Sequence, residues 1–301
     1  MENFKFNWKQ YLDNYPDLRL AGIVTERGAW KHYQHFGKLE NRTSCCLKTY
    51  LPESFDDFLK GPSVVISLKR SQETRGNYTL KLLQETGFEN CKLFDAFDGY
   101  SDDLEIVIKE RNLKYTPIHN FCRGQKGCGI SHMNIWKMVL DENLDYITIF
   151  EDDALPEHNF KEFAKSWYSH TPKNIDLCYL GSIAWEHEYP QIYGKQIIYN
   201  PTFCTHAYVV TKNFARKALN LIKQSCENGG IDNIDSEMKI WCDRNQISFC
   251  VWNNKGIFTS KIPLYNSEDN SQDTIHHSKN NGLIYQNAKL GSVISSAEIK
   301  Y

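Results

Sequence analysis

The clearest pattern along the chain is the change between strand-like apolar runs and apolar residues at helical spacing. The short β-branched run "PSVVISL" predicts a strand, and "RGNYTLKLLQETGF" predicts a helix that ends at Gly87. The segment "NCKLFDAFDGY" then predicts a second strand that runs into a turn. This order is a β-α-β unit, which is typical of an α/β domain.

The same alternation continues through the second half of the chain. "GISHMNIWKMVLDENL" has apolar residues at 130, 133, 135, 136, 139 and 140, which predicts an amphipathic helix. The strand "YITIF" follows, and "IDLCYLGS" and "THAYVV" predict further strands. "TKNFARKALNLIKQS" predicts another helix, for which Thr211 is a suitable N-cap. The pattern as a whole predicts a parallel α/β sheet.

The first 50 residues have a different, aromatic pattern. Large apolar residues recur twice at helical spacing: Trp8, Tyr11, Leu12 and Tyr15, then Trp30, Tyr33 and Phe36. We predict a small helical hairpin that ends near Gly37. An aromatic-cored capping element is the favoured interpretation, and a partner- or substrate-binding module is the alternative. The predicted divisions are residues 1–50, a main domain over 61–280 and a C-terminal tail over 281–301.

Composition and charge remove several classes of protein from consideration. The 301 residues are 41% hydrophobic, which is enough to bury a full-sized core. A formal net charge of −2 gives no reason to expect nucleic acid as a partner, and no apolar stretch approaches the ~20 residues that span a bilayer. The opening "MENFKFNWKQ" lacks the features of a signal peptide, so we expect a cytoplasmic protein whose ten cysteines are reduced.

The strand "YITIF" is followed directly by three carboxylates, Glu151, Asp152 and Asp153. Open parallel sheets bind ligands at the carboxyl ends of their strands, which is where these residues fall. Adjacent carboxylates repel one another, so they need hydrogen-bond donors or a cation nearby. Oxygen ligands of this kind suit Mg²⁺ or Mn²⁺, which keep positions open for diphosphate oxygens. The alternative is a solvated acidic turn, which the three residues alone would favour.

Several motifs in a fixed order change this balance. "GQKGCGISHMNIW" joins a glycine-rich turn, a Ser-His pair and a helix shortly before the strand that ends in "EDD". The other motifs are "VVISLKRSQETR", "FDAFDGY", "IDLCYLGS", "PTFCTHAYVVTKNFARKAL", "NIDSEM" and "NSQDTIHHS". Over about residues 61–280 the chain therefore resembles glycosyltransferase family 25, with its procollagen galactosyltransferase-like and lipopolysaccharide glycosyltransferase-like members.

The resemblance implies a Rossmann-like nucleotide-sugar-binding fold of the GT-A type and a UDP-sugar donor. It also implies an inverting transfer of galactose or glucose that is assisted by Mn²⁺ or Mg²⁺. Asp153 is the first candidate for a metal ligand, and Glu151 or Asp152 would take a second position, a metal-bound water or the ribose. His276 and His277 are candidates for a further ligand, with a surface histidine pair as the alternative.

Inverting transfer requires a base that takes the proton of the acceptor hydroxyl. Asp235, in "GGIDNIDSEMKIW", is the first candidate and Asp232 is the second. The alternative for Asp235 is an ordinary helix N-cap. Only the resemblance places a catalytic role above that alternative.

Donor recognition is expected at the ends of the first two predicted strands. The candidates there are the backbone of Ser67 and Leu68 near the nucleobase uracil, Arg70 or Arg75 towards the ribose or phosphate, and Asp98 and Gly99 at the second strand end. Ser131 and His132, in the helix before "YITIF", are candidates for the lining of the donor pocket, and Gly181 and Tyr208 are candidates where later strands approach the sugar. Arg75 could equally be a solvated charge, and His132 could be a buried core histidine. Gly181 and Tyr208 could each be purely structural.

The acceptor is the least determined part of the prediction. The resemblance implies hydroxylysine or galactosyl-hydroxylysine of a collagen-like protein, with other glycans as alternatives. A cytosolic acceptor would point to a virus or a microbe, with the protein in the host cytoplasm or the virion. A catalytically silent binding protein with the same fold, or a retaining transferase, is the alternative function.

Overall fold

The chain is described by a computed structural model. The described residues are 6–40, 42, 49–119, 121–157, 159–185, 197–198, 205–252, 278–282 and 284–286. The chain divides into two compact units. One comprises Met1–Pro52 and Pro172–Ile175, and the other comprises Glu53–Thr171 and Asp176–Tyr301.

The smaller unit contains short helices around an aromatic cluster. They are α1 (Trp8–Asn14), α2 (Pro16–Leu20) and α3 (Glu26–His32), and a π-helical turn follows over Tyr33–Gly37. The predicted hairpin is wrong in detail, because the proline after Tyr15 begins a separate helix. The cluster of packed apolar side chains consists of Phe6, Trp8, Tyr11, Leu12, Tyr15, Leu18, Ile23, Ala29 and Tyr33.

The second aromatic stripe of this unit is only partly covered. Trp30 is 43% exposed and Phe36 is 58% exposed. The ring centroid of Trp30 nevertheless lies 4.9 Å from that of Phe6, in an edge-to-face arrangement. The aromatic spacing therefore indicated helical structure but not the break before Pro16, and part of the second stripe is exposed rather than buried.

The larger unit contains a central sheet and two small strand pairs. Its strands are β1 (Ser63–Ser67), β2 (Cys91–Asp95), β3 (Tyr146–Glu151), β4 (Ala154–Pro156), β5 (Leu177–Tyr179), β6 (Gly181–Trp185), β7 (Ile197–Ile198), β8 (Ala207–Thr211), β9 (Phe249–Trp252), β10 (Ser278–Gly282) and β11 (Ile284–Gln286). The central sheet has the order β2-β1-β3-β8-β5-β9-β7. β10 pairs with β6, and β11 pairs with β4.

The helices of the larger unit alternate with these strands. They are α4 (Phe55–Leu59), α5 (Lys69–Ser71), α6 (Asn77–Glu85), α7 (Leu104–Glu110), α8 (Arg123–Asp141), α9 (Phe160–His170), α10 (Lys212–Glu227) and α11 (Ile234–Asp243). The predicted cap of α10 is confirmed, because the Thr211 hydroxyl accepts a hydrogen bond from Phe214 N at 3.3 Å. Gly87 follows α6 with φ +105°, as expected of a glycine that ends a helix.

The α/β fold class is confirmed, but the sheet is mixed rather than fully parallel. β1 runs parallel to both β2 and β3, whereas β8 runs antiparallel to β3 and β5. The end of β5 lies beside the start of β8, where Leu180 N donates to Ala207 O at 3.0 Å. The chain thus returns into the sheet in the opposite direction. An apolar strand pattern is the same in either direction, so "THAYVV" could not reveal this.

The centre of the core is β3, which is covered on both faces. Ile147 and Ile149 belong to the same buried cluster as Trp136 of α8. On the opposite face, the Phe150 ring lies 5.0 Å from the ring of Phe88. Because successive side chains of a strand point to opposite faces, a continuous apolar run is what a strand between two helical layers requires.

The glycine-rich segment before the Ser-His pair is helical, so the predicted turn is wrong there. α8 begins at Arg123 and is capped by Cys122 and Gln125, whose side chains bond each other's backbone N–H groups. A Cβ atom on Gly127 would lie 2.6 Å from Gly99 N and 2.8 Å from Phe97 O. This glycine therefore allows the loop after β2 to lie directly against the helix.

Two further observations concern membrane-spanning helices and the state of the cysteines. Among the described residues, no helix has the length and apolar character required to cross a membrane. Cys91, Cys122, Cys128, Cys178, Cys226, Cys242 and Cys250 are free thiols.

The close approach at α8 gives a testable difference between two neighbouring glycines. Gly127→Ala should lower the free energy of unfolding by about 1–3 kcal/mol, because the new methyl group would overlap backbone atoms that cannot move aside. Gly129→Ala is the matched control, since its Cβ would meet only Ile234 Cβ at 4.0 Å. The control should be neutral or more stable by up to about 1 kcal/mol, from helix propensity. Urea denaturation of both variants measures the difference, and equal stabilities would contradict the packing argument.

Candidate active site

A cleft lies at the edge of the sheet where β1, β2 and β3 have their carboxyl ends. Parallel strands direct these ends to the same edge, so residues far apart in the sequence meet there. Of the predicted donor and metal residues, the cleft brings together Ser67, Leu68, Arg70, Arg75, Asp98, Gly99, Ser131, His132, Glu151, Asp152 and Asp153. Its other lining residues are Ile66, Ala96, Phe97, Tyr100, Gly124 and Cys128.

The carboxylate of Asp152 is held by two side chains, Ser67 at the end of β1 and Arg75 after it. Ser67 Oγ donates to Asp152 Oδ2 at 2.7 Å, and Arg75 Nη2 lies 2.7 Å from Asp152 Oδ1. Thr79 Oγ1 donates to the backbone carbonyl of Asp152 at 2.8 Å. Asp152 is only 7% exposed, and this burial raises its pKa above the ordinary value even though Ser67 and Arg75 act to lower it. The ionised form of Asp152 therefore depends on Arg75.

Glu151 belongs to a chain of hydrogen bonds that runs into the core. Its Oε1 accepts from Thr205 Oγ1 at 2.5 Å and lies 3.3 Å from His132 Nε2, while His132 Nδ1 lies 2.6 Å from the Tyr208 hydroxyl. Burial acts to raise the pKa of Glu151, but the contacts with His132 and Thr205 outweigh it and the pKa is lowered. An ionised carboxylate can only accept, so the proton of a neutral His132 ring lies on Nε2 and Tyr208 donates to Nδ1.

The cleft lining carries more negative than positive side chains. Asp153 is 3% exposed and, with Glu151, Asp152 and Asp98, provides carboxylates, whereas the guanidinium groups come from Arg70 and Arg75. Oxygen donors of this kind fit a hard divalent cation such as Mg²⁺ or Mn²⁺. The set of donors is thus compatible with the cation that the sequence predicted.

The opposite wall is formed by tight packing of the loop after β2 against α8. Arg123 Nε donates to Gly99 O at 2.9 Å. Ser131 Oγ accepts from Phe97 N and donates to Gly127 O, both at 2.8 Å. Ser131 lines the cleft as predicted, but these bonds give its hydroxyl a clear role in holding the wall.

The mouth of the cleft carries an ion pair between Arg70 and Asp98, and both side chains are about half exposed or less. The backbone carbonyls of Ser67 and Leu68, which were predicted to lie near a nucleobase, accept backbone hydrogen bonds at 3.0 and 2.7 Å. A ligand that bonds to either carbonyl would have to share its oxygen atom with the existing backbone hydrogen bond. The side chains at this end of β1 are therefore the better candidates for recognition.

Asp235 lies in the first turn of α11, with Asn233 at the N-cap position. The alternative interpretation of Asp235 as an ordinary N-cap is therefore wrong. Burial, and then the charges of Glu151 and Asp235, raise the pKa of the Cys128 thiol well above its ordinary value. Asp235 is thus within electrostatic reach of a cleft-lining residue, although it is not itself among the described residues that line the cleft.

Asp232 lies just before α11 and has several neighbours. Its Oδ2 is 3.6 Å from His119 Nε2, and its backbone N–H donates to Glu237 Oε1 at 2.8 Å. Asp232 is also outside the described lining of the cleft. Both candidate bases therefore stay predictions.

Two of the other predicted residues are absent from the described lining of the cleft, and two more belong to a part of the chain that the structure does not describe. Among the described lining residues, neither Gly181 nor Tyr208 occurs. Gly181 begins β6, and the Tyr208 hydroxyl contacts the far side of the His132 ring. His276 and His277 lie outside the described residues. The contributions of these residues to donor or metal binding remain predictions.

Cys128 and Thr205 belong to the site but had no role assigned from the sequence. Cys128 lies four residues before His132, which places both on one face of α8, and this spacing was a usable signal. Thr205 gave no such signal. Its contact with Glu151 depends on the chain preceding β8 passing beside the end of β3, where Glu151 N donates to His206 O at 2.9 Å.

The fold and the cleft define an α/β protein of the kind that binds its ligand at the carboxyl edge of the sheet. A family model described as "Glycosyltransferase family 25 (LPS biosynthesis protein)" matches residues 61–234. The chain belongs to glycosyltransferase family 25. This confirms the family predicted from the sequence, and glycosyltransferases are the class of enzyme.

Curated relatives carry names that fit this family. "Procollagen lysyl hydroxylase and glycosyltransferase" of Acanthamoeba polyphaga mimivirus is 30% identical over 176 residues, which cover 52% of this chain and 19% of that protein. "Procollagen galactosyltransferase 1-B" of Xenopus laevis is 29% identical over 224 residues, 69% of this chain and 34% of that protein. "Lacto-N-neotetraose biosynthesis glycosyltransferase LgtB" of Neisseria meningitidis is 46% identical over 102 residues, 33% of this chain and 35% of that protein. The chain therefore spans about a third or less of each of these relatives.

The free energy of unfolding tests whether the ionised form of Asp152 depends on Arg75. Arg75→Met should lower the free energy of unfolding by about 3–5 kcal/mol near neutral pH, because it leaves a buried carboxylate without its cation. Arg70→Met is the matched control. Its ion pair with Asp98 joins side chains that are 48% and 34% exposed to solvent, so the loss should stay below about 1 kcal/mol.

The pH dependence gives this test a second readout. The pKa of Asp152 is already raised in the folded protein, and loss of Arg75 should raise it further. The folded variant then keeps a proton that the unfolded chain has released, so its stability should fall as the pH rises above the ordinary range for aspartate. Denaturation curves at acidic and neutral pH should therefore show a smaller deficit for Arg75→Met in acid. A deficit that is independent of pH would contradict this assignment.

Proposed function

We propose that the chain transfers a hexose, galactose or glucose, from a UDP-sugar to an acceptor hydroxyl, with inversion and with the help of Mn²⁺ or Mg²⁺. The observation that carries this proposal is the group of carboxylates Glu151–Asp153 in a cleft at the end of β3. The lining of this cleft has an excess of negative charge, which would repel a diphosphate unless a cation is bound with it.

The contacts of the three carboxylates support different roles for them. Asp153 is the first candidate for a cation ligand, and Glu151 is the second. Asp152 uses one oxygen for Ser67 and the other for Arg75, so we assign it a positioning role at the end of β1. When bound, the cation would stabilise the negative charge that develops on the departing diphosphate.

Other residues of the cleft would bind and orient the donor. Arg70 provides a half-exposed guanidinium group at the mouth, and Gly124 brings the first turn of α8 to the wall. The N-terminus of a helix favours anionic groups through its unpaired N–H groups and its dipole. The loop at Asp98 and Gly99, which is fixed against α8, would form a rigid surface for the ribose or the sugar.

Asp235 is our candidate for the base that removes the proton of the acceptor hydroxyl. Its position in the first turn of α11 and its electrostatic effect on the cleft-lining Cys128 support this choice. A carboxylate there can accept a proton from a hydroxyl that comes within hydrogen-bond reach. Asp232 is the second candidate, and its carboxylate already contacts His119 Nε2 at 3.6 Å and accepts a hydrogen bond from Asn233 N at 2.6 Å.

The names of the relatives support a choice of acceptors to test. Two are named for procollagen, and one is named for the biosynthesis of lacto-N-neotetraose. We therefore propose hydroxylysine or galactosyl-hydroxylysine of a collagen-like chain as the first acceptor, and a terminal sugar of a glycan as the second. Both present a hydroxyl group that a carboxylate base can activate.

The activity is tested by incubating the intact protein with UDP-galactose or UDP-glucose, Mn²⁺, and either a hydroxylysine-containing peptide or a glycan panel. We expect release of UDP together with a new glycosidic bond, loss of both with EDTA, and recovery with Mn²⁺. The anomeric proton of the product, measured by NMR, should report inversion. No transfer from either donor to any acceptor contradicts the proposal, and full activity in EDTA contradicts the role of the cation.

The two carboxylate roles are separated by conservative variants. Asp153→Asn should weaken both Mn²⁺-dependent UDP binding and turnover, because the amide keeps the shape but loses the charged ligand. Asp235→Asn should leave UDP binding nearly unchanged and lower turnover by ~10²–10⁴-fold, the range expected for loss of a general base. Asp141→Asn, on the exposed side of α8, is the control.

Calorimetry of UDP binding and initial rates are measured on the same three variants. Wild-type turnover in Asp235→Asn would remove that residue as the base and favour Asp232. Undiminished Mn²⁺-dependent binding in Asp153→Asn would return the acidic cluster to the interpretation of a solvated turn.

A further inference from the structure

Cys128, His132 and Glu151 form a group of three chemically different ligands in the lining of the cleft. One ligand atom from each, the thiol sulfur, a ring nitrogen and a carboxylate oxygen, lies within 4.8 Å of the other two. All three residues line the cleft, so a cation can reach them from solvent. We propose that these residues bind Zn²⁺, at a site separate from the Asp153 position assigned to the harder cation.

The position of the group follows from the geometry of α8 and β3. Cys128 and His132 are four residues apart on a helix of 19 residues, so their side chains lie one above the other on the same face. Glu151 is the last residue of β3, and its Oε1 lies 3.3 Å from His132 Nε2. Two residues of one helix and the last residue of a strand, both elements being part of the core, provide a rigid set of three ligands.

The surroundings of the group already orient two of the three ligands. The Tyr208 hydroxyl lies 2.6 Å from His132 Nδ1 and leaves Nε2 directed towards Glu151. Thr205 Oγ1 holds Glu151 Oε1 at 2.5 Å. Hydrogen bonds of this kind to the second ring nitrogen and to the carboxylate are characteristic of protein metal sites, because they fix the orientation of each ligand.

The chemistry of the three ligands favours Zn²⁺ over Mn²⁺ or Mg²⁺. Thiolate and imidazole are soft or intermediate ligands that suit Zn²⁺, whereas the harder cations prefer oxygen. On binding, the thiol proton of Cys128 would leave to solvent. The ring proton of His132 would move from Nε2 to Nδ1, where the Tyr208 oxygen accepts it. Burial and the charges of Glu151, Asp235 and Asp153 raise the pKa of the thiol and so oppose its ionisation in the empty site, whereas the same negative charges would favour an added cation.

The site would couple zinc to transfer, because Glu151 is shared with the acidic cluster of the donor site. Zn²⁺ would compete with the Mn²⁺ of the donor site for the Glu151 carboxylate. It would also place a second positive charge beside the bound donor. We therefore expect micromolar Zn²⁺ to inhibit a transferase that is active with Mn²⁺. This consequence rests on the proposed function, whereas the binding of Zn²⁺ does not.

Binding is tested with Co²⁺ as a spectroscopic substitute for Zn²⁺ on the intact, metal-free protein. Coordination by a thiolate gives a near-ultraviolet charge-transfer band, and added Zn²⁺ should remove it. The band should be present in the wild type and in Cys226→Ser, a control at another half-buried helical cysteine, and absent in Cys128→Ser. A band of wild-type intensity in Cys128→Ser, or Co²⁺ binding without such a band in the wild type, would overturn the proposal.

A second variant tests the orientation of His132 without removing a ligand. Tyr208→Phe should weaken Zn²⁺ binding by ~10–100-fold, the usual effect of losing a hydrogen bond behind a metal ligand. Circular dichroism confirms that each variant is folded before titration. Unchanged affinity in a folded Tyr208→Phe protein would show that His132 is not a ligand and would overturn the three-residue site.

The functional arm is measured separately. With Mn²⁺ saturating, Zn²⁺ should inhibit the wild type at concentrations that have at least ~10-fold less effect on Cys128→Ser. Zinc binding at Cys128 without inhibition would leave the site in place and remove only its coupling to transfer. Absence of transfer in every protein would contradict the proposed function but not the zinc site, because the cobalt spectrum is independent of turnover.

Discussion

The cleft depends on one interaction, the pairing of the buried Asp152 carboxylate with Arg75 and Ser67. Two further carboxylates flank Asp152, so the turn after β3 concentrates negative charge next to a hydrophobic core. Ser67 ends β1 and Arg75 follows it, so the same bonds that neutralise Asp152 join the ends of two adjacent strands. Electrostatic compensation and the shape of the cleft are therefore produced by the same atoms.

The antiparallel strand β8 completes the other side of this arrangement. Because β8 pairs with β3, the chain just before it reaches Glu151 through Thr205, and its second residue reaches His132 through the Tyr208 hydroxyl. A parallel strand at this place would present its opposite end to the cleft. The direction of β8 thus determines which polar groups surround Glu151, and the acidic residue is held from both neighbouring strands.

Features that depend on local sequence were predictable, and features that depend on distant packing were not. The apolar run of β3, the carboxylates that follow it and the Thr211 cap have a direct local cause, and the structure places them as expected. The glycines before His132 were misinterpreted as a turn, because only the approach of Gly99 shows why Gly127 must lack a side chain. Thr205 reaches the site only through the pairing of β3 with β8, which no local sequence pattern indicates.

The pairing of β4 with β11 has a consequence for how the protein is made. β4 begins directly after Asp153, but its partner, Ile284–Gln286, comes much later in the chain. On the ribosome, the segment next to the acidic turn therefore emerges long before the strand that it pairs with. Pairing between such distant segments is slow and comes late in folding. A nascent chain can thus build most of the central sheet while this side of the cleft still awaits its last strand.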